Sequence, residues 1–419
     1  MKKKYLAHTC SSNDLKKDFL LYKNFWLKVS KRFDKFYFIN LINLIDKKKS
    51  SDDKNYIKKK FPKNLIIFTP KTYSELKLFL KKNQIITFIS LGRDLKYFYT
   101  LYLLKKFKSK VLVNLTIGYT GQNNNFFREK NNYLNNLYYF LKFIVLKKII
   151  WLFFRFFVFI NIFPKIEILF DGSKKNINIY KNYFTHKIKK KIPWFNISYI
   201  KEVIHVNFRS YETLIDQLPK LENKYIVFLD SCLDHGDAIQ FQGRRDEATR
   251  AKYYFYLEKT LKRISGLYKK KIIICLHPKT DTNILKKYIK DISIKKHQSS
   301  QFITKAAFVL FHDSSIILDA IFLRKKIINL RSPLMGKYYE ASNKKYSKSI
   351  KMPIIDMSQY QKINKKNLDK FFDNKNLYKN YLKNFLTFDL DKISKVKNKE
   401  KLKGSEQIIT ILNERFFKN

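Results

Sequence analysis

Two short apolar runs, each stopped by a histidine, limit what this chain can fold into more than any other feature. Ile272-Ile273-Ile274-Cys275-Leu276 is a continuous apolar run, short enough to be a strand covered on both faces. His277-Pro278 ends it, because proline has no N–H for the next ladder bond. Ala307 to Phe311 repeats the pattern and runs into His312-Asp313-Ser314-Ser315. Ile316, Ile317, Asp319, Ala320 and Phe322 then read as a helix capped by Asp313 or Ser314, and Ile327 to Leu330 as the next strand. Strand, helix and strand in that order is the repeat of a parallel sheet. Ligands of such sheets bind beyond the carboxyl ends of the strands. That rim carries His277 and the Ser314-Ser315 pair, read here as ends of neighbouring strands. A helix N-terminus with two hydroxyls near an imidazole suits a phosphate.

The same alternation extends toward the N-terminus. Strands are predicted at Tyr5–Cys10, Phe36–Leu41, Leu65–Phe68, Ile85–Ile89, Val111–Leu115 and Ile166–Phe170, with helices such as Ser74–Lys82 and Asp94–Phe107 between them. At 419 residues the chain exceeds the roughly 250–300 at which one core stops growing, so two domains are expected. The expected division is an acceptor-side domain over 1–210, a nucleotide-binding domain over 211–400 and a C-terminal helix over 401–419. A polar stretch around Tyr211 to Asn223 would be the passage, and Tyr225–Leu229, closed by Asp230-Ser231, would open the second sheet. No GxGxxG and no GxxxxGK[ST] is present.

A formal net charge of +53 invites a nucleic-acid reading. The basic residues are mostly lysines spread through every segment, with no arginine stripe, zinc-finger spacing or RNA-binding signature, so no nucleic-acid partner is expected. An anionic partner remains: a nucleotide, an acidic glycan or a membrane surface. Cys10, Cys232 and Cys275 are far apart, which suits reduced thiols. The first residues lack the apolar core of a signal peptide, so the expected location is the cytoplasm, with peripheral attachment to the inner membrane face.

That attachment rests on residues 133–163, an aromatic and basic helical insertion. A membrane span needs about 20 mostly apolar residues, and Lys142, Lys147, Lys148 and Arg155 interrupt this run. Basics among Phe, Trp and Ile fit a helix lying in the headgroup plane of an anionic membrane. The plainer reading is a helix packed on its own domain.

Single residues carry two readings each. His277 is an ordinary strand-end histidine or a donor to a phosphate oxygen. Ser314 and Ser315 are a common N-cap or part of the same seat. Asp319 is a solvated helix residue or holds a donor hydroxyl. Asp171-Gly172 is usual turn chemistry, or a carboxylate that takes a proton from a sugar hydroxyl. Asp230, Asp234, His235 and Asp237 match no metal-ligand spacing, so they read as a donor-side loop and no metal site is assigned.

Taken together, Phe170-Asp171-Gly172, His277-Pro278 and Ser314-Ser315 resemble, in this order, motifs of the bacterial lipooligosaccharide sialyltransferases and polysialyltransferases. Those are α/β enzymes of GT-B architecture, two Rossmann-like domains facing an interdomain cleft. The resemblance implies transfer of an acidic sugar, sialic-acid-like or Kdo-like, from a CMP-activated donor. The acceptor would be a surface glycan or glycolipid, as in capsule or lipopolysaccharide, and neither metal nor cofactor is implied. It also implies roles for particular residues. Asp171 would be the general base, and His277 would assist departure of CMP. His277, Pro278, Ser314 and Ser315 would hold the nucleotide, with Asp230 and Ser231 beside them. The opening strand, with His8 and Thr9, is similar to the family's acceptor side. The family pattern has two acidic residues before the glycine, and Phe170 stands at the first. The chain also resembles polyol-phosphate transferases that use CDP-glycerol, which share the His-Pro pair and a Ser-Ser followed by an aspartate, here Asp319. Their Trp-His-Gly motif is absent. A non-catalytic protein binding glycans or lipids at the membrane surface is the third reading.

Overall fold

The computed structural model describes residues 4–11, 23–45, 63–91, 95–115, 146–174, 200–207, 210–217, 222–234, 245–277, 280–314, 316–336, 339–340, 343–344, 347, 350, 352–372, 378–387 and 396–417. In chain order the first elements are β1 (Lys4–Cys10), α1 (Lys23–Arg32), β2 (Phe36–Asn40), β3 (Leu65–Phe68), α2 (Tyr73–Lys82) and β4 (Gln84–Ile89). Then come α3 (Phe98–Lys106), β5 (Lys110–Leu115), α4 (Leu146–Phe159), β6 (Ile166–Asp171) and β7 (Ile200–His205). These strands form one parallel sheet in the order β3-β2-β1-β4-β5-β6-β7. Alternate residues of each strand feed two cores. Leu6, Phe38, Phe88 and Phe170 pack under Phe25, Trp26 and Val29 of α1. Ala7, Ile39, Val111 and Leu169 pack against α2, α3 and α4 through Leu80, Leu104, Phe154 and Val158.

The second unit begins with α5 (Ser210–Gln217), β8 (Tyr225–Leu229), α6 (Glu247–Tyr268), β9 (Lys271–Leu276) and α7 (Thr282–Tyr288). It continues with β10 (Ser293–Lys296), α8 (Ser299–Thr304), β11 (Ala306–Phe311), α9 (Ile317–Phe322), β12 (Lys326–Arg331) and β13 (Ile354–Asp356). Its sheet is parallel in the order β10-β9-β8-β11-β12-β13. Both sheets therefore start at a central strand, wind one way for two strands and then the other. That is the doubly wound Rossmann order, whose switch point lies between β8 and β11 in the second unit. Two such units in one chain are the pair of domains that the GT-B architecture comprises.

The chain divides near Arg209. Strands β1–β7 belong to one unit, Ser210–Asp389 to the other, and the chain from Leu390 returns to the first. The returning helix α10 (Gly404–Leu412) buries Ile408, Ile409 and Leu412 in the α1 core. Its entry is fixed by Asn207, whose Nδ2 donates to the Leu402 carbonyl at 2.7 Å and whose N–H donates to Gln407 Oε1 at 2.8 Å. A Cβ on Gly404 would lie 2.0 Å from the Asn207 carbonyl oxygen, so only glycine fits there.

Three sequence expectations are corrected by the fold. β9 and β11 are not neighbours, because β8 pairs with both and lies between them. The helix after β11 spans only Ile317–Phe322, and its N-cap is Ile316 with no side-chain bond. Asp313, expected as a cap, instead donates its backbone N–H to Ser231 Oγ at 3.1 Å. In the 133–163 stretch the described helix is Leu146–Phe159, and 133–145 lie outside the described residues. Arg155 does not reach toward headgroups: it is buried, with its guanidinium 3.8 Å from the Trp151 ring centroid. The polar stretch around Tyr211, expected as helix-like, is helical over Ser210–Gln217, and Tyr211 stacks on Phe322 of α9 at 4.5 Å.

Candidate functional site

The carboxyl end of the second sheet carries a pocket of about 450 Å³, lined among others by Asp230, Cys275, His277, His297, Ser300 and Ser314. It thus brings together His277, which follows β9, and Ser314, which follows β11, across the end of β8. Pro278 and Ser315 lie outside the described residues. The six-residue α9 is too short, and too poorly capped, to supply the helix-terminal phosphate seat expected from the sequence. What remains at this rim is side-chain chemistry: a half-buried imidazole and a half-buried hydroxyl.

Strand β8 ends between them and acts as a bolt. Asp230 Oδ2 accepts from the His277 N–H at 3.2 Å and from the Thr280 hydroxyl. Its Oδ1 accepts from the Cys232 N–H at 3.2 Å. Ser231 ties down Asp313 as described above. Asp230 and Ser231 are each under a tenth exposed, and these bonds fix the two loops that present His277 and Ser314. His297 in the lining, and Cys232 two residues beyond Asp230, adopt left-handed φ values of 62° and 55°. Such backbone is strained for a residue with a Cβ and concentrates at functional sites.

Asp319 stands behind this pocket. It is 3% exposed, so it is not the solvated residue its helix position allowed. Ser300 Oγ donates to its Oδ2 at 2.7 Å, and its Oδ1 has no hydrogen-bond partner among the described residues. Burial pushes its pKa from 3.8 up to about 7, against the Ser300 bond that lowers it. Beneath the rim, His312 is wholly buried. Its Nδ1 bonds the Leu330 carbonyl, and its Nε2 lies 2.7 Å from the Tyr253 hydroxyl. Burial lowers its pKa to about 4, so the ring is neutral at pH 7, donating from Nδ1 and accepting at Nε2. Asp234 is not a base in waiting: Arg245 grips it through Nε at 3.0 Å and Nη2 at 2.6 Å. His235 and Asp237 lie outside the described residues.

At the carboxyl end of the first sheet, Asp171 closes β6 and is 1% exposed. Its Oδ1 accepts from the Ser173 N–H at 2.8 Å, the turn chemistry its sequence context foretold. In register beside it on β7 is His205. Burial, with help from Lys174, lowers its pKa to about 4 against a hydrogen bond to the Gly172 backbone. Its Nε2 has no hydrogen-bond partner among the described residues. His8 is placed elsewhere than at a rim: its ring packs 4.8 Å from Trp26 and 4.9 Å from Phe38, inside the α1 core. Thr9 faces the opposite side and shares a 2.7 Å hydrogen bond with the Thr87 hydroxyl, also buried.

No family model matches the chain, and no curated protein matches its sequence. Its fold is similar to that of CalG4, the calicheamicin glycosyltransferase. Identity is 7% and the TM-score 0.47, covering 100% of both chains. It is similar to the wall teichoic acid polymerase TagF at 10% identity and TM-score 0.46, covering 99% of this chain and 90% of that one. The UDP-GlcNAc 2-epimerase of Methanocaldococcus jannaschii, solved with UDP-GlcNAc and UDP, is similar at 13% identity and TM-score 0.44, covering 98% and 100%. These likenesses concern the fold alone.

Sequence reasoning passed over two groups. His297 to Gln301 line the pocket beside His277, yet HQSSQ shows no motif and only the sheet order brings it there. His205 pairs with Asp171 because β6 and β7 are adjacent. An histidine closing an apolar strand, as in Val203-Ile204-His205, was the available signal.

Proposed function

We propose that this chain is a glycosyltransferase that moves an acidic sugar from a CMP-activated donor to a hydroxyl of a surface glycan, as in capsule or lipopolysaccharide synthesis. The observation that carries the reading is the meeting of His277 and Ser314 at one pocket, at the carboxyl end of a doubly wound sheet. Both groups offer hydrogen-bond donors to a phosphate, and an imidazole that takes a proton there offsets charge on a leaving nucleotide. In the transfer, the acceptor oxygen bonds to the anomeric carbon of the sugar. The bond from that carbon to the phosphate oxygen breaks, CMP leaves, and the hydroxyl proton passes to the Asp171 carboxylate. Asp319, buried behind the pocket, acts on the donor only through Ser300 of the lining, whose hydroxyl it holds. None of these steps calls on a metal or a cofactor.

The buried aspartate behind the serine also fits a polyol-phosphate transferase using CDP-glycerol, so donor class is the property to measure. In thermal melts of the full chain, CMP is expected to raise the transition more than CDP-glycerol or UDP at equal concentration. A larger rise with CDP-glycerol selects the second reading. No rise with any nucleotide removes both enzymes and leaves a binding protein.

A further inference from the structure

We propose that the outer face of α3 and α4 in the first unit docks on an anionic lipid bilayer, with a lysine-lined cleft beside it receiving the headgroup phosphates. On α4, Ile149, Phe153 and Phe156 fall at helical spacing on one face and are 42%, 52% and 40% exposed, and Ile160, just past the helix, is 41% exposed. Phe159 and, just past the helix, Ile162 extend the exposed apolar surface. On α3, Tyr99 and Tyr102 are exposed and stack on each other at 6.0 Å. The opposite face of α4 is anchored, with Phe154 and Val158 in the core, and Phe98 of α3 meets Phe163 at 4.9 Å. Large aliphatic and aromatic side chains held outward on a fixed helix are not accounted for by folding.

The cleft begins where α4 ends. It measures about 530 Å³, and its lining includes Lys105, Lys106, Lys108, Lys110, Lys165 and Lys201, with Glu167 as the one carboxylate. Glu167 takes Lys110 at 3.4 Å and Lys201 at 2.8 Å. Lys105 reaches Asn161 Oδ1 at 2.5 Å. Lysines in the last turn of a helix complement its dipole, which accounts for Lys105 and Lys106 but not for Lys108 or Lys165. Six ammonium groups against one carboxylate, with exposed Ile160 and Ile162 on either side of Asn161 of the lining in the chain, complement a surface that is apolar and anionic together. A nucleic acid would match the lysines and leave the isoleucines and phenylalanines unexplained.

The position has a use. The cleft lies at the amino ends of β5, β6 and β7, where Lys110, Glu167 and Lys201 sit. Asp171 and His205 close β6 and β7 at their other ends. Docking there leaves the carboxyl rim uncovered. Among the described residues no helix is long and apolar enough to cross a membrane.

The test is flotation of the full chain with vesicles of phosphatidylcholine alone and of phosphatidylcholine with phosphatidylglycerol, at low and high salt. The chain is expected to float with the anionic vesicles and to lose binding as salt rises. Phe153→Ser with Ile160→Ser should lower partitioning at least about tenfold, with the thermal transition unchanged. Lys108→Glu with Lys165→Glu should lower it by a similar factor, on anionic vesicles only. Failure to float with either vesicle overturns the proposal. So does unchanged flotation of both variants, or loss of RNA binding instead of vesicle binding in the lysine variant. A lowered transition in the Phe153 and Ile160 variant, without vesicle binding by the parent, would mean that the chain's own residues cover this face. Nucleotide binding enters none of these readouts, so they stand apart from the proposed enzymatic reaction.

Discussion

Asp171→Asn is expected to lower turnover with a CMP-sugar by at least about a hundredfold while CMP affinity stays unchanged. A hydroxyl is a weak nucleophile at neutral pH, and a positioned base contributes 10²–10⁴-fold, on the order of 3–5 kcal/mol of barrier. The variant separates the two roles this residue can have. Asparagine keeps an Oδ1 to accept from the Ser173 N–H, so the turn after β6 survives. It has no basicity to offer an acceptor hydroxyl. Single-turnover rates and CMP titration on the same preparation check the outcome. If Asp171→Asn turns over near normally, the residue is there for its turn, and His205 beside it becomes the next group to replace.

Asp319→Asn is expected to stabilise the second unit above neutral pH. Its carboxyl is pushed from 3.8 to about 7 by burial. Between those values the folded chain holds a proton that the unfolded chain releases, so stability falls as pH rises through this window. At ~1.4 kcal/mol per pKa unit, the ionised carboxylate costs the fold on the order of 4 kcal/mol once pH exceeds about 7. The neutral amide removes that loss and still accepts from Ser300. His312 works in the opposite sense. Its pKa is lowered from 6.5 to about 4, so the unfolded chain takes up the proton first and stability falls as pH drops below 6.5. In the parent chain the two trends oppose each other between about pH 4 and 7. In the variant the acid loss from His312 stands alone. Urea unfolding at pH 5 and pH 8 reads both. A variant no more stable than its parent at pH 8 would mean that Asp319 has solvation or a partner that offsets its burial. A gain in stability joined to weaker CMP binding marks a buried charge retained for a ligand.

The runs Ile272–Leu276 and Ala307–Phe311 announced their strands because a strand covered on both faces has to be apolar throughout. Pairing was not legible, since β8 enters between them from a segment that no local pattern connects to either. Strands such as Ser293–Lys296 and Ile354–Asp356 lie at the sheet edges, where burial imposes little on the sequence. The helix start was misread because Asp313 and Ser314 look like caps, whereas Asp313 is held by a hydroxyl from another strand. His8 could be placed on a strand but not on a face. Its alternation with Ala7 and Thr9 sends it into the Trp26 cluster. Arg155 reads as a headgroup contact only while the rotation of α4 is unknown. The pocket was half legible: His277 and Ser314 follow strands, whereas His297 to Gln301 and the burial of Asp319 depend on how distant elements close.

The proposed transfer requires a nucleotide phosphate to rest on His277 at the end of β9. A charge-assisted hydrogen bond to phosphate contributes roughly 1.5–3 kcal/mol, which is about tenfold or more in affinity. Calorimetric titration of CMP into the parent chain, into His277→Ala and into Ser314→Ala with Ser315→Ala measures it directly. CMP should bind the parent, and each variant should bind at least about tenfold more weakly with its thermal transition intact. Equal CMP affinity in the parent and both variants would contradict the claim.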